Sequence, residues 1–392
     1  MFAEKNPFIV NGDIIPEYFC DRQKESENLT RFITSGNNVV LISPRRMGKT
    51  ALIQYCFSHP EIKNNYLTFY IDILSTSSLR EFILLFGRAV YSRLQPLGIK
   101  ILTRFVAAMS SIAGSFGFDP VSGMPSFDLQ LGDIRNPEYT LEEIFNYLSS
   151  SETPCIVAID EFQQIARYPE KNVEALLRSR IQHMANSHFI FAGSERHMLA
   201  EMFLNSSSPF YLSAITMELR AIPLEVYRNF AVRLFSESGR ELDPDAVNEL
   251  YSLFDGVTLY LQRTMNFAFT STHKGSRCDI DSIRDAVLLQ LNSNDTFYRE
   301  FLSNLSTSQK SLLVAIARTP GVSGIMSSDF ITTHNLGSAS SVQNSSKRLL
   351  NADLISRVGD IYTVSDPLFR IWICSQYGPA PFRLLGEEIS TL

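Results

Sequence analysis

Residues 39–50, VVLISPRRMGKT, contain a short apolar run followed by a loop that ends in Gly-Lys-Thr. The stretch follows the phosphate-loop pattern G-x-x-x-x-G-K-[ST], except that Ser43 occupies the position of the first glycine. Where such a loop joins a strand to a helix, its backbone N–H groups and the helix N-terminus attract phosphate. The stretch therefore predicts a nucleotide site at the end of a buried strand.

Each residue of this loop has an expected place. Lys49 is predicted to reach the β- and γ-phosphates, and the Thr50 hydroxyl to be a ligand of Mg2+. The other residues expected to touch the nucleotide are Ser43, Pro44, Arg45, Arg46, Met47, Gly48 and Ala51. Three roles stay open for Arg45 and Arg46: binding a phosphate, pairing with an acidic side chain at position 160 or 161, or facing solvent. The alternative is a loop without a nucleotide-binding role that contains Gly-Lys-Thr by chance.

The first half of the chain alternates between strand-like and helix-like segments. Apolar runs predict strands at 39–43, 67–73, 155–160 and 189–194, and apolar spacing predicts helices at 50–57, 79–94, 141–148 and 173–184. Continuous apolar strands separated by helices indicate a parallel sheet covered on both faces. Residues of about 114–138, rich in Gly, Pro, Asp and Ser, predict an extended or hairpin insertion.

Two further strand ends carry polar side chains. In CIVAIDEF, Asp160 is the expected carboxylate on the Mg2+ side, and Glu161 is expected to orient or activate the attacking water. The alternative is that this acidic pair only caps the next helix. In FIFAGSER, Ser194 is expected to sense the γ-phosphate, whereas Arg196 fits a solvated loop arginine better. The predicted catalytic residues are therefore Glu161, Lys49 and Ser194.

From residue 223 onward the strand pattern is lost. Helices are predicted at 224–238, 243–254, 259–271 and 279–292, then at 308–318, 327–334 and 338–352. The runs LISRV and IYTVS, separated by Gly-Asp, predict a hairpin, so the tail is predicted to be a winged helix-turn-helix. We expect an α/β domain at 1–222 with an insertion at about 97–138, a helical lid at 223–300 and a winged helix at 301–392.

Composition argues against several classes of protein. The 392 residues carry a net charge of -6, which argues against binding nucleic acid through bulk charge. Five widely spaced cysteines, with no C-x-x-C, favour reduced thiols in a cytoplasmic protein over disulfides or a zinc site. No apolar run reaches the roughly 18 residues that a membrane helix needs, so we expect no membrane partner.

Several motifs resemble those of a known family: NPF (6–8), FCDRQKE (19–25), SPRRMGKT (43–50), AIDEFQQI (158–165), FAGSERHM (191–198) and DPLFRIW (366–372). In this order they resemble the prokaryotic "archaeal ATPase" group of AAA+-like P-loop ATPases, allied to the STAND ATPases, with a C-terminal winged helix. The resemblance covers nearly the whole chain. It implies a P-loop sheet with helices on both faces, followed by a helical lid and a winged helix, and it implies ATP and Mg2+ as cofactors.

The resemblance also implies roles for residues outside the phosphate loop. Phe19, Asp21, Arg22 and Glu25 match a segment that lies beside the adenine in such ATPases, although an ordinary helix capped by Asp21 is the alternative. DGVTLYLQR (255–263) matches a lid element, with Thr258 in place of its proline, which weakens Arg263 as a sensor. Leu212-Ser213 replaces a Gly-Arg that many relatives carry. Variation at Ser43 is common in the group.

The predicted winged helix has two open kinds of partner. Its recognition helix, within 338–350, presents Ser, Gln, Asn, Lys347 and Arg348, which can contact phosphates or base edges. Residues 306–377 hold six Lys or Arg against four Asp, a weak basic balance for a DNA-binding module. DNA and a protein partner are therefore both expected candidates. Phe369 and Trp372 indicate that the segment after the hairpin packs back into a core.

The patterns together predict an ATP-binding protein that hydrolyses Mg-ATP slowly as a conformational switch. The switch would be coupled to DNA or a protein through the winged helix. The alternative is a DNA-binding regulator in which nucleotide is only a structural ligand, and a third interpretation is a non-catalytic scaffold. An oligomer is compatible with the sequence but not indicated by it.

Overall fold

The computed structural model describes residues 5–10, 16–118, 125–379 and 381–389. These residues form two compact units. The first unit runs from residue 16 to Arg220, and the second combines residues 5–10 with those from Ala221 onward. The division into three domains stays a prediction.

The first unit alternates between helices and strands, as the sequence predicts. Its elements are α1 (Gln23–Thr34), β1 (Val39–Ile42), α2 (Lys49–Ser58), α3 (Pro60–Asn65), β2 (Leu67–Asp72), α4 (Leu79–Leu94), α5 (Ile99–Ala108), β3 (Phe116–Phe118), β4 (Pro125–Phe127), α6 (Pro137–Ser149), β5 (Cys155–Asp160), α7 (Val173–Ile181), β6 (Ser187–Gly193), α8 (Arg196–Leu204) and β7 (Ile215–Glu218).

Five of these strands form one parallel sheet, in the order β2-β5-β6-β1-β7. Alternate residues of β1 enter two separate apolar clusters, with Val40 and Ile42 in one and Val39 and Leu41 in the other. Both faces of the sheet are therefore buried, which explains why its strands read as continuous apolar runs. The order places β5, β6 and β1 side by side, so the polar residues that follow these strands lie at one edge. The predicted fold class is confirmed.

The structure adds elements that the sequence patterns did not predict. Strand β7 is short and only partly buried, so it lacks an apolar run. Helices α5 and α8 were also missed. The insertion includes α5 and a hairpin, β3 paired with β4, as expected for a hairpin insertion; residues 119–124 lie outside the described residues.

The second unit contains α9 (Leu224–Glu237), β8 (Glu241–Leu242), α10 (Pro244–Leu253), α11 (Thr258–Ser271), β9 (Arg277–Cys278), α12 (Ile280–Ser303), α13 (Thr307–Arg318), β10 (Val322–Ser323), α14 (Ser328–Thr333), α15 (Ala339–Asn351), β11 (Ile355–Val358), β12 (Ile361–Val364), α16 (Pro367–Tyr377), β13 (Phe382–Leu384) and β14 (Glu387–Ile389).

Two expectations for this unit were wrong. Strands do occur in the predicted helical lid, because β8 and β9 form a parallel pair of two residues each, too short to show a pattern. Helix α12 continues to Ser303 instead of ending near residue 292. It continues because Tyr298 and Leu302 extend its buried face and no proline or glycine interrupts it.

The winged helix consists of α13, α14 and α15 with a three-stranded sheet in the order β10-β12-β11. Phe369 and Trp372 of α16 are buried, as predicted, and both rings pack against Tyr298 of α12. The Trp372 indole donates a hydrogen bond to Asp295 at 2.9 Å. Helix α16 therefore joins the winged helix to the preceding helices in one core. No helix among the described ranges has the length and apolar character to cross a bilayer.

The cysteines are free thiols in the part of the chain that the structure describes. All five cysteines are free, and Cys20, Cys56, Cys155 and Cys278 are buried while Cys374 is half-buried.

Candidate functional site

The loop between β1 and α2 has the backbone shape of an anion site. Arg46 and Gly48 both adopt left-handed conformations, with φ of 68° and 89°. Helix α2 begins at Lys49, and no side chain among the described residues caps its N-terminus. The first N–H groups of a helix lack acceptors within that helix, so they are available to an anion. This end of α2 therefore offers donors at the predicted phosphate position.

Ser43 takes the place of a glycine without strain. It does not adopt a positive φ, and its side chain is fully buried, with Oγ donating to the Pro44 carbonyl at 3.0 Å. The conformational freedom of glycine is therefore not needed at this position. Pro44 is exposed, Met47 is buried and Ala51 is half-buried.

The two loop arginines are both exposed. Arg45 also donates from Nε to the Ser194 hydroxyl at 3.3 Å, a contact that the sequence did not predict. It links the loop to the end of β6.

The predicted metal ligands lie together. Thr50 Oγ1 donates to Asp160 Oδ2 at 2.8 Å. The Tyr70 hydroxyl on β2 donates to the same oxygen at 2.7 Å and lies 3.5 Å from Thr50 Oγ1. Burial and the negative charge of Asp160 raise the pKa of Tyr70, so its hydroxyl stays protonated and serves as a donor. Tyr70 thus orients the carboxylate that is expected on the Mg2+ side.

Glu161 accepts several hydrogen bonds at the end of β5. Its Oε2 accepts from the Gln163 amide at 2.6 Å and from the Ser194 hydroxyl at 2.7 Å, and Lys49 Nζ lies 3.9 Å from Oε1. Burial alone would raise the pKa of Glu161, but the bonds from Gln163 and Ser194 and the charge of Lys49 outweigh it and lower the pKa. The side chain is therefore held as a carboxylate in a fixed position.

The helix-cap interpretation is wrong for Glu161. Glu161 precedes a short 3-10 helix, but its side chain makes no capping hydrogen bond there. Its backbone is left-handed, with φ of 56°, an uncommon conformation for a residue other than glycine. The side chain points instead toward Lys49 and Ser194.

A third carboxylate adds negative charge at this edge. Asp72 ends β2 and pairs in register with Asp160. The pKa of Asp72 is raised, because burial and the charges of Asp160 and Glu161 outweigh a hydrogen bond from the Leu74 amide and the charge of Lys49. No cluster of three or more metal-ligating side chains occurs in the described ranges. A divalent ion here would therefore depend on phosphate oxygens and water besides Thr50 and Asp160.

Two residues that support Glu161 were not identified from the sequence. Gln163 is almost fully buried and its amide lies over Gly193, the last residue of β6. A Cβ at Gly193 would lie 2.0 Å from Gln163 Oε1. Gly193 therefore leaves space for the amide that reaches Glu161. The motif AIDEFQQI contains Gln163, but no pattern in the sequence shows that it contacts the glycine in FAGS.

Arg22 fixes the back of the loop. It is buried, and its guanidinium donates to the carbonyls of Met47 at 3.3 Å and Arg220 at 2.7 Å and to Glu25 at 2.9 Å. Its backbone is left-handed, with φ of 112°. The alternative of a helix capped by Asp21 is wrong, because Arg22 precedes α1 and no capping side-chain bond is made. Arg22 thus contacts the loop backbone at Met47.

Comparison with protein-family models identifies the family to which these motifs belong. A family model described as "ATPase domain predominantly from Archaea" matches residues 19–263, more than half of the chain. The chain belongs to this ATPase family. A second model, described as "Probable winged helix domain", matches residues 296–375. The resemblance drawn from the motifs is confirmed, and membership implies nucleotide binding, usually with Mg2+.

Solved structures of other P-loop ATPases share the fold of this family member. The Walker-type ATPase of Pyrococcus abyssi is 16% identical, with a TM-score of 0.66 over 94% of this chain and 99% of that one. The ORC2 protein of Aeropyrum pernix is 15% identical, with a TM-score of 0.58 over 96% and 99%. The ORC1 protein of Aeropyrum pernix in complex with DNA is 13% identical, with a TM-score of 0.51 over 96% and 97%. At these identities the likeness shows the fold alone. No curated protein matches the sequence.

The remaining motif residues of the ATPase come from other segments of the chain. Arg196 is half-exposed at the start of α8 and forms an ion pair with Glu218. Leu212 is exposed. Thr258 and Arg263 lie on α11 of the second unit.

The residues at this edge fit a magnesium nucleotide. Lys49 is only 7% exposed, so its charge is held within the site rather than in bulk water. The uncapped helix, this buried cation and the adjoining Thr50 and Asp160 oxygens are complementary to phosphates carrying a hard divalent ion. The donor set therefore supports the nucleotide binding that family membership implies.

Proposed function

We propose that the protein hydrolyses Mg-ATP slowly and uses the reaction as a conformational switch. The proposal rests on one observation: two contacting groups, Thr50 with Asp160 and Lys49 with Glu161 and Ser194, meet at the adjoining ends of β1, β5 and β6. A carboxylate and a hydroxyl beside a buried lysine, at the end of an uncapped helix, suit phosphoryl transfer to water.

The side chains would divide the chemistry among them. Lys49 would place its ammonium against the phosphates, while Thr50 and Asp160 would hold the metal. Bound Mg2+ would neutralise negative charge that develops on the phosphate oxygens. Glu161, with Gln163 fixing its carboxylate, would orient the attacking water, and Ser194 would donate toward the γ-phosphate. We also place the loop residues from Ser43 to Ala51, with Arg22 behind them, in the nucleotide-binding part of the site.

Lys49→Ala tests the nucleotide site. The substitution should abolish ATP binding measured by calorimetry, because it removes the buried cation that faces the phosphates. Lys63→Ala is a matched control, since Lys63 is an exposed lysine on helix α3. This variant should bind ATP normally. Equal binding of ATP by the Lys49 variant and the wild type would exclude the loop as the phosphate site.

We further propose that the winged helix transmits the state of the ATPase to DNA or to a protein through residues 338–350. One solved neighbour, the ORC1 protein, was determined in complex with DNA, which makes DNA the first partner to test. The ATPase rate of the purified protein, measured with and without duplex DNA, should rise when DNA is added. DNA binding that is unchanged by ATP, ADP and Lys49→Ala would favour a regulator in which nucleotide is only a structural ligand.

A further inference from the structure

A hydroxyl-lined cavity lies between α13 and α15 of the winged helix. Its volume is about 160 Å³, several times the roughly 30 Å³ that one water occupies in the liquid. Hydroxyl groups line it from both helices: Thr307, Ser308 and Ser311 from α13, and Ser341 and Ser345 from α15. A wider groove shares Ser308, Ser341 and Ser345 and extends to Arg348.

At the cavity, Ser345 places a hydroxyl without a hydrogen-bond partner among the described residues. Its residue is only 5% exposed, it borders both the cavity and the groove, and no hydrogen bond joins its hydroxyl to another described residue. Its neighbour Ser346 is 4% exposed but donates to the Gln343 carbonyl at 2.9 Å and borders neither space. The Ser345 oxygen is not sealed among protein atoms, so its hydroxyl is open to a molecule that enters the cavity. Ser345 therefore has an unused donor facing the cavity.

The charges around the cavity select an anion. No aspartate or glutamate lines the cavity or the groove. Arg348 is the only charged lining residue, it is exposed, and its guanidinium pairs with no other described residue. The positive ends of two helices also border the space, since α13 begins at Thr307 and α15 at Ala339. Hydroxyl donors with one guanidinium suit a phosphate group.

The exposed face of α15 points to nucleic acid as the source of the phosphate. Gln343, Asn344, Lys347 and Arg348 are exposed on this helix. Amide side chains can read base edges in the major groove, while cations bind the flanking phosphates. A phosphate site beside such a face matches a duplex that contacts α15 through its bases and the cavity through its backbone.

We propose that the cavity between α13 and α15 binds a backbone phosphate of double-stranded DNA, with Ser345 donating to it and Arg348 neutralising it. The proposal rests on the winged-helix coupling proposed above and names its partner as DNA. The site positions α15 on the duplex. It accounts for binding by a protein whose net charge is negative, because the contact is local.

The test measures binding of a fluorescein-labelled 20-base-pair duplex of mixed sequence to the full chain by anisotropy, over a series of salt concentrations. Arg348→Gln should weaken binding about tenfold and lower the salt slope by about one, the effect of losing one phosphate contact. Ser345→Ala should weaken binding roughly fivefold, as expected for one hydrogen bond. The matched control, Ser346→Ala, should bind DNA as the wild type does, although it loses a hydrogen bond within the protein.

Four outcomes would overturn the proposal: no binding of duplex at low salt, equal affinities for Ser345→Ala and Ser346→Ala, no change with Arg348→Gln, or tighter binding of a phosphoserine peptide than of duplex. Melting temperatures of the variants would show whether any loss comes from unfolding. ATP binding is measured on the same preparations. A wild type that binds ATP but no duplex refutes the phosphate site alone, whereas a wild type that binds no ATP refutes the proposed ATPase.

Discussion

Substitution of Gly193 by alanine tests whether Gln163 holds Glu161 in place. The new Cβ would lie 2.0 Å from Gln163 Oε1 and 2.9 Å from Leu199 Cδ1, closer than such atoms can approach. The leucine methyl can rotate away, but the buried glutamine amide has to leave its position. Its 2.6 Å hydrogen bond to Glu161 would then be lost.

Two magnitudes follow from this geometry. Inserting one methyl into a packed site costs about 1–3 kcal/mol in the free energy of unfolding. A catalytic group displaced by about 1 Å can lose roughly 100-fold in rate, so we expect turnover to fall by 10- to 100-fold. ATP affinity should stay near the wild-type value, because Lys49 and the phosphate loop are not touched by the substitution.

A double-mutant cycle with Gln163→Ala gives the decisive comparison. Urea unfolding and steady-state ATP hydrolysis would be measured for the wild type, both single variants and the double variant. Once the amide is absent, the alanine at position 193 should cost little more, giving a coupling of about 1–2 kcal/mol. Free energies and rates that simply add, within about 0.5 kcal/mol, would show that the two residues do not act on Glu161 together.

Two further predictions concern the metal ligands and the thiols. Tyr70→Phe removes a donor to Asp160, so it should weaken Mg2+ affinity by about 10- to 100-fold, as measured by Mg2+ titration of fluorescent ADP binding. Tyr139→Phe, at an exposed tyrosine, is the control. Equal Mg2+ titrations of the two variants would refute the role of Tyr70. Burial raises the pKa of Cys56, Cys155 and Cys278 to about 11. At pH 8 only about one such thiol in a thousand is ionised, so the folded protein should react slowly with a disulfide reagent and the protein unfolded in guanidinium rapidly. Because Cys374 is half-buried, fast reaction of more than one thiol of the folded protein would contradict the burial of the other cysteines.

The regular part of the fold could be predicted because its apolar periodicity is strong. The strand Cys155–Asp160 and the helix Leu79–Leu94 have the predicted bounds. Strand β7 could not be predicted, because an edge strand with few buried residues shows no apolar run. Helix α5 could not be predicted because the glycine- and serine-rich segment that follows it interrupts its apolar spacing.

The site residues likewise fall into those that sequence motifs indicate and those that they do not. Lys49, Thr50 and Asp160 belong to motifs whose spacing has a chemical reason, so the sequence alone indicates them. Tyr70 reaches Asp160 only through the pairing of β2 with β5, and Gln163, although two residues from Glu161, packs over Gly193 of the neighbouring strand β6. Their contacts therefore could not be derived before the sheet was known.

The most direct test of the proposed ATPase is turnover by Glu161→Gln. The amide keeps the size of the side chain but cannot act as a carboxylate toward water. The purified variant should bind ATP with wild-type affinity and hydrolyse it at least 100-fold more slowly, as expected when a general base that contributes about 10²–10⁴-fold is removed. Hydrolysis of ATP at the wild-type rate by this variant would remove Glu161 from the mechanism and contradict the central claim.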